Sequence, residues 1–151
     1  MIIRENNVKV DEYSDEFMIK PEHREYKPEE LIFFDLEHYV YKKPKCIGVF
    51  GACEYDKQSK EIKVTQYMIE DKDEATYILY LAKKYFVKMK EKGKKAIVTF
   101  SGNNDFTVIN YLFKEQGIYY SFEEEFDSID IQKEYEKDKN SSIGLKRRRS
   151  N

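Results

Sequence analysis

Leu31-Ile32-Phe33-Phe34-Asp35-Leu36-Glu37 is the stretch whose reading decides the fold. It is a short apolar, aromatic run, the pattern of a buried β-strand, yet it carries two carboxylates. Side chains alternate faces along a strand, so Asp35 and Glu37 project to the same side, roughly 6–7 Å apart. On one face of a core strand two unpaired acids repel each other and lose hydration, at a cost of several kcal/mol. A divalent cation removes that cost. Asp35 and Glu37 are therefore candidate metal ligands.

Strands extend outward from this one. Cys46 to Tyr55 reads as a second strand, its Gly48 and Gly51 suggesting a bulge or a close backbone approach. Asp56 to Lys60 is a polar hairpin turn, and Ile62, Val64, Tyr67 and Ile69 continue as a third strand, antiparallel to the second. Asp71-Lys72-Asp73-Glu74 opens a helix with acids in its first turn, where the helix dipole favours them. Ile78, Leu81, Ala82, Tyr85, Phe86 and Met89 give that helix one buried stripe, and Gly93 ends it. Lys95 to Phe100 is a compact strand. Ser101-Gly102-Asn103-Asn104 turns into a second helix, capped by Asn103 or Asn104, with Val108, Ile109, Leu112 and Phe113 inward and a stop near Gly117. Phe126 to Ile131 is a last short strand, with Gln132 to Lys137 as a further helical stretch.

The order β-β-β-α-β-α-β predicts an α/β fold. Three strands joined by short turns form an antiparallel meander, and the strand–helix–strand units add parallel neighbours to one mixed sheet with helices on its faces. Residues 1–30, polar and interrupted by Pro21 and Pro28, are expected to be a lead-in, an arm or an irregular strand. Residues 31–138 form the domain, and 139–151 a basic tail without fixed structure.

Bulk composition narrows the possibilities. The chain has 151 residues, 13 Tyr and 10 Phe, enough apolar material for one globular core. Charged residues make up 37% but nearly cancel, to a net −2, so overall charge points to no polyanionic partner. There is no apolar leader and no run of membrane-spanning length. Cys46 and Cys53 sit an odd number of residues apart in one expected strand, on opposite faces, and cannot bridge each other there. Two free thiols without a leader imply a cytoplasmic protein with no disulfide.

A third acid, Asp105, follows directly on the strand 95–100 at the first turn of the next helix. If that strand lies beside 31–37, Asp105 emerges next to Asp35 and Glu37. Phe34-Asp35-Leu36-Glu37, Ile47-Gly48, Asp73-Glu74, Phe100-Ser101-Gly102-Asn103-Asn104-Asp105-Phe106, Ile129-Asp130-Ile131 and Gly144-Leu145-Lys146 follow in order. This ordered set resembles the DEDD-type 3′–5′ exonucleases of the ribonuclease H-like superfamily, and more closely the ribonuclease-H-like exonuclease domains of bacteria.

The resemblance implies a five-stranded mixed sheet of order 3-2-1-4-5 carrying two Mg²⁺ or Mn²⁺ ions. One ion lowers the pKa of a bound water and the other stabilises the leaving oxygen. Asp35 would bridge both, Glu37 would hold the nucleophile-side ion, and Asp105 the second. The substrate would be nucleic acid, entered from a single-stranded end. Lys42, Lys43, Ser101 and Asn104 are the candidates for substrate contacts. The family's fourth acid, with the Tyr or His that precedes it, has no counterpart here; Lys146-Arg147-Arg148-Arg149 stands where relatives continue. Asp127, Asp130 and Asp138 are the available substitutes. An alternative is a catalytically incomplete ribonuclease H-like fold used as a nucleic-acid or protein interaction module.

Other features have plainer readings. Lys83, Lys84, Lys88, Lys90, Lys92, Lys94 and Lys95 are read as a solvated helix face rather than a phosphate track. His23 and His38 are isolated, and His38 should point away from Glu37's face, in a structural role. Tyr39 and Tyr41 are candidates for base stacking, beside tyrosines such as Tyr119 and Tyr120 that serve the core or rim.

Overall fold

The computed structural model describes residues 1–10, 24–40, 44–100 and 102–133. Six strands alternate with helices: β1 (Ile2–Lys9), β2 (Leu31–Val40), β3 (Pro44–Asp56), β4 (Glu61–Met68), α1 (Ala75–Glu91), β5 (Ala96–Thr99), α2 (Gly102–Glu115), α3 (Phe122–Glu125) and β6 (Asp127–Asp130). They form one sheet of order β1-β4-β3-β2-β5-β6. The meander β2–β3–β4 is antiparallel, whereas β5 runs parallel to β2 and β6 parallel to β5. From β2 onward the expected order holds.

The difference lies at the N-terminus. Ile2–Lys9 is a regular strand paired antiparallel with β4, so the sheet has six strands rather than five. Its sequence gives no strand signal because seven of its eight residues are exposed and it has no inner face to reveal.

Short-range chemistry sets the boundaries. Asp56 accepts from the backbone N–H groups of Gln58 (3.0 Å) and Ser59 (3.4 Å), closing the β3–β4 turn, and Lys60 takes the left-handed conformation. Asp71 accepts from Asp73 N–H while Glu74 reaches back to Asp71 N–H, a capping box leading into α1. Gly93 and Gly117 adopt φ of +92° and +67° just beyond α1 and α2, where a Cβ would be strained. At α2 the expected cap is overturned. The helix begins at Gly102, so Asn103 and Asn104 lie inside its first turn.

Burial alternates along β2. Ile32, Phe34 and Leu36 face the main core with α1, α2 and α3, centred on Phe86, whose ring lies 4.9 Å from Phe122 and 5.5 Å from Phe34. Leu31 and Phe33 face the other way, into a small cluster with Tyr26, Ala96, Val98 and Ile129. α1, α2 and α3 thus cover one face, while residues 131–133, also helical, follow β6 and Ile131 packs on the second cluster. Among the described residues no α-helix packs over β1, β4 and β3 on the opposite face. None of the described helices is long and apolar enough to cross a membrane.

The lysine run is not uniformly solvated. Lys94 is buried (3% exposed), paired with the buried Glu54 at 3.0 Å, and donates to the carbonyls of Glu29 and Tyr55 at 2.8 Å. Lys92 reaches both oxygens of Glu54 at 2.8 Å, and Lys63 holds Asp56 at 3.1 Å. Burial pushes the Lys94 ammonium down and Glu54 partly offsets this. Burial acts to raise the Asp56 carboxyl, but Lys63, the Ser59 N–H and Lys92 outweigh it and hold it at about 2. A lysine just past a helix end looks like surface in sequence. Here the chain turns inward at Gly93 and carries Lys94 under the C-terminal end of β3.

A candidate active site at the β2–β5 switch point

β2 and β5 are adjacent and parallel, but their chains leave in opposite directions: β2 turns to β3, β5 passes through α2 to β6. The carboxyl ends of such a pair diverge and leave a crevice, the usual ligand position in open α/β sheets. The register makes the crevice deep. Pairing ends at Phe33 opposite Val98, β5 stops at Thr99, and β2 runs on to Val40. Among the described residues the backbone of β2 beyond Phe33 therefore has no strand on that side, and the first turn of α2 fills the place.

Asp105, in that turn, is buried at 5% exposure. Its carboxyl accepts from the backbone N–H of Leu36 and shares a hydrogen bond with Asp35. Burial first, then the charge of Asp35 and the shared hydrogen bond, push the Asp105 carboxyl up to about 6, against the smaller opposing effect of the Leu36 N–H. Two carboxyl groups from separate elements meet here, one of them desolvated.

Glu37 lies on the same face as Asp35 and both are exposed. The expectation of a desolvated pair on β2 is corrected: among the described residues no helix covers Asp35 and Glu37, water reaches both acids, and the burial cost falls on Asp105. Among the described residues no three His, Cys, Asp or Glu side chains are grouped so that they could hold a metal ion. The convergence consists of Asp35 and Asp105, with Glu37 standing beside it along the strand.

Two of the three candidate substitutes for a fourth acid, Asp127 and Asp130, have other partners. Asp127 takes the Tyr26 hydroxyl and lies 3.9 Å from Arg24, at the far edge of the sheet. Asp130 accepts from Gln132 N–H (3.0 Å) and Lys133 N–H (3.3 Å), capping the turn after β6. Asp138, Lys42, Lys43, Ser101, His23, Tyr41, residues 134–137, the Gly144-Leu145-Lys146 motif and the tail 139–151 lie outside the described residues, as does the side chain of Asn104. His38 pairs with Ile47 on the helix-bearing face, and its Nδ1 is buried without a hydrogen-bond partner among the described residues.

The β2–β3 register slips between Glu37 and His38, skipping Gly48, and the Tyr39 ring lies over that glycine. A Cβ at Gly48 would come within 2.9 Å of the ring, whereas Gly51 has nothing closer than 3.9 Å. Only the first of the two glycines answers to a close approach.

Asp35 also lines the rim of a shallow depression of about 310 Å³ on the bare face, with Phe33, Cys53, Gln66, Val98 and Phe100. Phe100 is 71% exposed, an aromatic ring held in water next to the acids. Sequence reading missed this residue, although its place at the end of β5 beside the Asp105 turn was visible.

The family model described as the RNase_H superfamily matches residues 32–147, more than half of the chain. No curated protein and no solved structure matches it.

Proposed function

The chain belongs to the RNase H superfamily, and on that premise we propose a divalent-metal-dependent nuclease that trims nucleic acid from a 3′ end. The observation that carries this reading is the buried Asp105 carboxyl set against Asp35, in the crevice between two diverging strands. A desolvated acid held beside a second acid is costly without a counter-charge, and oxygen donors of this kind suit Mg²⁺ or Mn²⁺. Asp35 and Asp105 would hold the cation, with Glu37 brought in from the same strand face. When bound, two such ions would activate water and stabilise the leaving oxygen of a phosphodiester.

The chain's own residues supply the rest. The Leu36 N–H fixes the Asp105 carboxyl, so the ligand atoms are positioned by a backbone bond rather than by a free rotamer. Packing of Phe106 against Phe34, ring centroids 5.4 Å apart, anchors the same turn of α2 to β2. Phe100 and Phe33 offer ring faces on which unpaired bases could stack, which supports a single-stranded end as substrate. The second reading is an interaction module without catalysis; it is favoured by Glu37 standing in solvent apart from the pair.

Calorimetry with Mn²⁺ on the full chain separates the two. The nuclease reading expects binding at sub-millimolar Mn²⁺, Mn²⁺-dependent shortening of a single-stranded oligonucleotide, and loss of both in Asp35→Asn with an unchanged circular dichroism spectrum. Absence of any Mn²⁺ heat up to millimolar concentration, together with metal-independent oligonucleotide binding, would establish the module instead.

A further inference from the structure

We infer that β1 is a self-association edge through which two copies of the chain join their sheets, with Asn6 opposite Asn6 on the twofold axis. The inference does not depend on the nuclease reading.

β1 ends the sheet, and among the described residues no strand pairs with its outer side. It is eight residues long, with no proline and no bulge, two of the devices that blunt an edge against strand addition. Which backbone groups point outward follows from the ladder. Val10 N–H donates to Lys60 carbonyl at 2.9 Å, so Val10 and, by alternation, Val8, Asn6, Arg4 and Ile2 direct their N–H and C=O toward β4. Ile3, Glu5, Asn7 and Lys9 direct theirs outward.

Antiparallel pairing of two copies requires a twofold axis perpendicular to the sheet, which keeps like faces together. Opposed residues must then have the same parity, so few registers exist. Centring on Glu5 or on Arg4 sets like charges against each other on the axis. Centring on Asn7 pairs only Glu5 to Lys9 and leaves Ile3 uncovered. Centring on Asn6 pairs residues 3 to 9, setting Glu5 against Asn7, Ile3 against Lys9 and Arg4 against Val8. Every outward backbone group of that span is used, in about eight ladder bonds. The two exposed apolar residues of the strand, Ile3 (49%) and Val8 (54%), come under the aliphatic stems of Lys9 and Arg4. No like charges face each other. The product is a twelve-stranded sheet whose bare faces lie on the same side, the two Asp35 positions seven strand spacings apart, roughly 33 Å.

One strand pair is small for a permanent interface, so a concentration-dependent dimer is expected, with a dissociation constant on the order of micromolar. Sedimentation of the full chain across that range should show the mass doubling. Asn7→Pro, which removes an outward N–H and spares the ladder to β4, should remain monomeric at every concentration with an unchanged thermal melt. The register is read by cysteine. Asn6→Cys places two thiols across the axis at a non-hydrogen-bonded pair, about 4.5 Å between Cα atoms, within disulfide reach. It should cross-link at least tenfold faster than Asn7→Cys, with the wild-type chain and its Cys46 and Cys53 as background. A monomer at all concentrations overturns the inference, as does dimerisation that Asn7→Pro leaves intact. Equal cross-linking at positions 6 and 7, or capture of only an unrelated extended peptide, does so too.

Discussion

Asp105 is dry and Asp35 is wet, and their difference has measurable consequences. The folded chain holds a proton on Asp105 up to pH about 6, whereas the unfolded chain releases it near 3.8. Between those values the folded state binds more protons, so metal-free stability falls as pH rises from about 4 to about 6 and is level above. Asp56 behaves oppositely: held at about 2, it stabilises above about 4 and is lost as pH falls toward 2. Urea midpoints taken every half pH unit should show both slopes. In Asp105→Asn the slope between 4 and 6 should disappear, because the amide still accepts from Leu36 N–H but carries no charge. Its metal-free stability at pH 7 should rise by on the order of 1–2 kcal/mol, while any stabilisation by Mn²⁺ is abolished. Asp105 was legible in the sequence because an acid at the start of a helix that follows a core strand has few places to go. Which acid would be desolvated was not, since that depends on whether a layer covers β2's second face, and side-chain period says nothing about layers.

Elements with a repeating inner face were readable; those without one were not. α1 and α2 show their stripes, and β2 to β4 their alternation and turns. β1 has neither, because an edge strand exposed on nearly every residue places no demand on its side chains. Lys94 failed for a related reason: identity suggested surface, and only the left-handed turn at Gly93 and the approach of β3 reveal a buried cation with three oxygen partners. Lys94→Met should cost about 3 kcal/mol in urea unfolding, because the Glu29 and Tyr55 carbonyls lose their donor and Glu54 keeps Lys92 alone. Lys84→Met, ten residues earlier on the exposed helix face, should stay within about 0.5 kcal/mol of the parent. The contrast tests whether the lysines of this run share a role.

At the scale of the molecule, one aromatic cluster ties the helices to the centre of the sheet. Phe86 touches Phe34, Phe50, Tyr85, Phe122 and Phe126 and is fully buried, so Phe86→Ala should destabilise by about 3–5 kcal/mol. Guanidinium unfolding read by tyrosine fluorescence and by circular dichroism should give coincident, down-shifted curves. Strand order from β2 onward was deducible since short turns and helical crossovers leave few topologies. The shared face of α1, α2 and α3 was not, because amphipathic helices declare which side of themselves is apolar, never which side of the sheet they choose.

The mismatch in length between β2 and β5 leaves the molecule with a built-in meter. Where a shorter neighbour has run out, the Leu36 amide proton is bonded to a carboxyl group whose charge changes with acidity and with any counter-ion. Its ¹⁵N–¹H resonance should therefore shift through a midpoint near 6 in an NMR titration and move again on adding Mg²⁺, while amides of the inner meander stay still. A backbone signal in the core would thus report the state of the acids without any label.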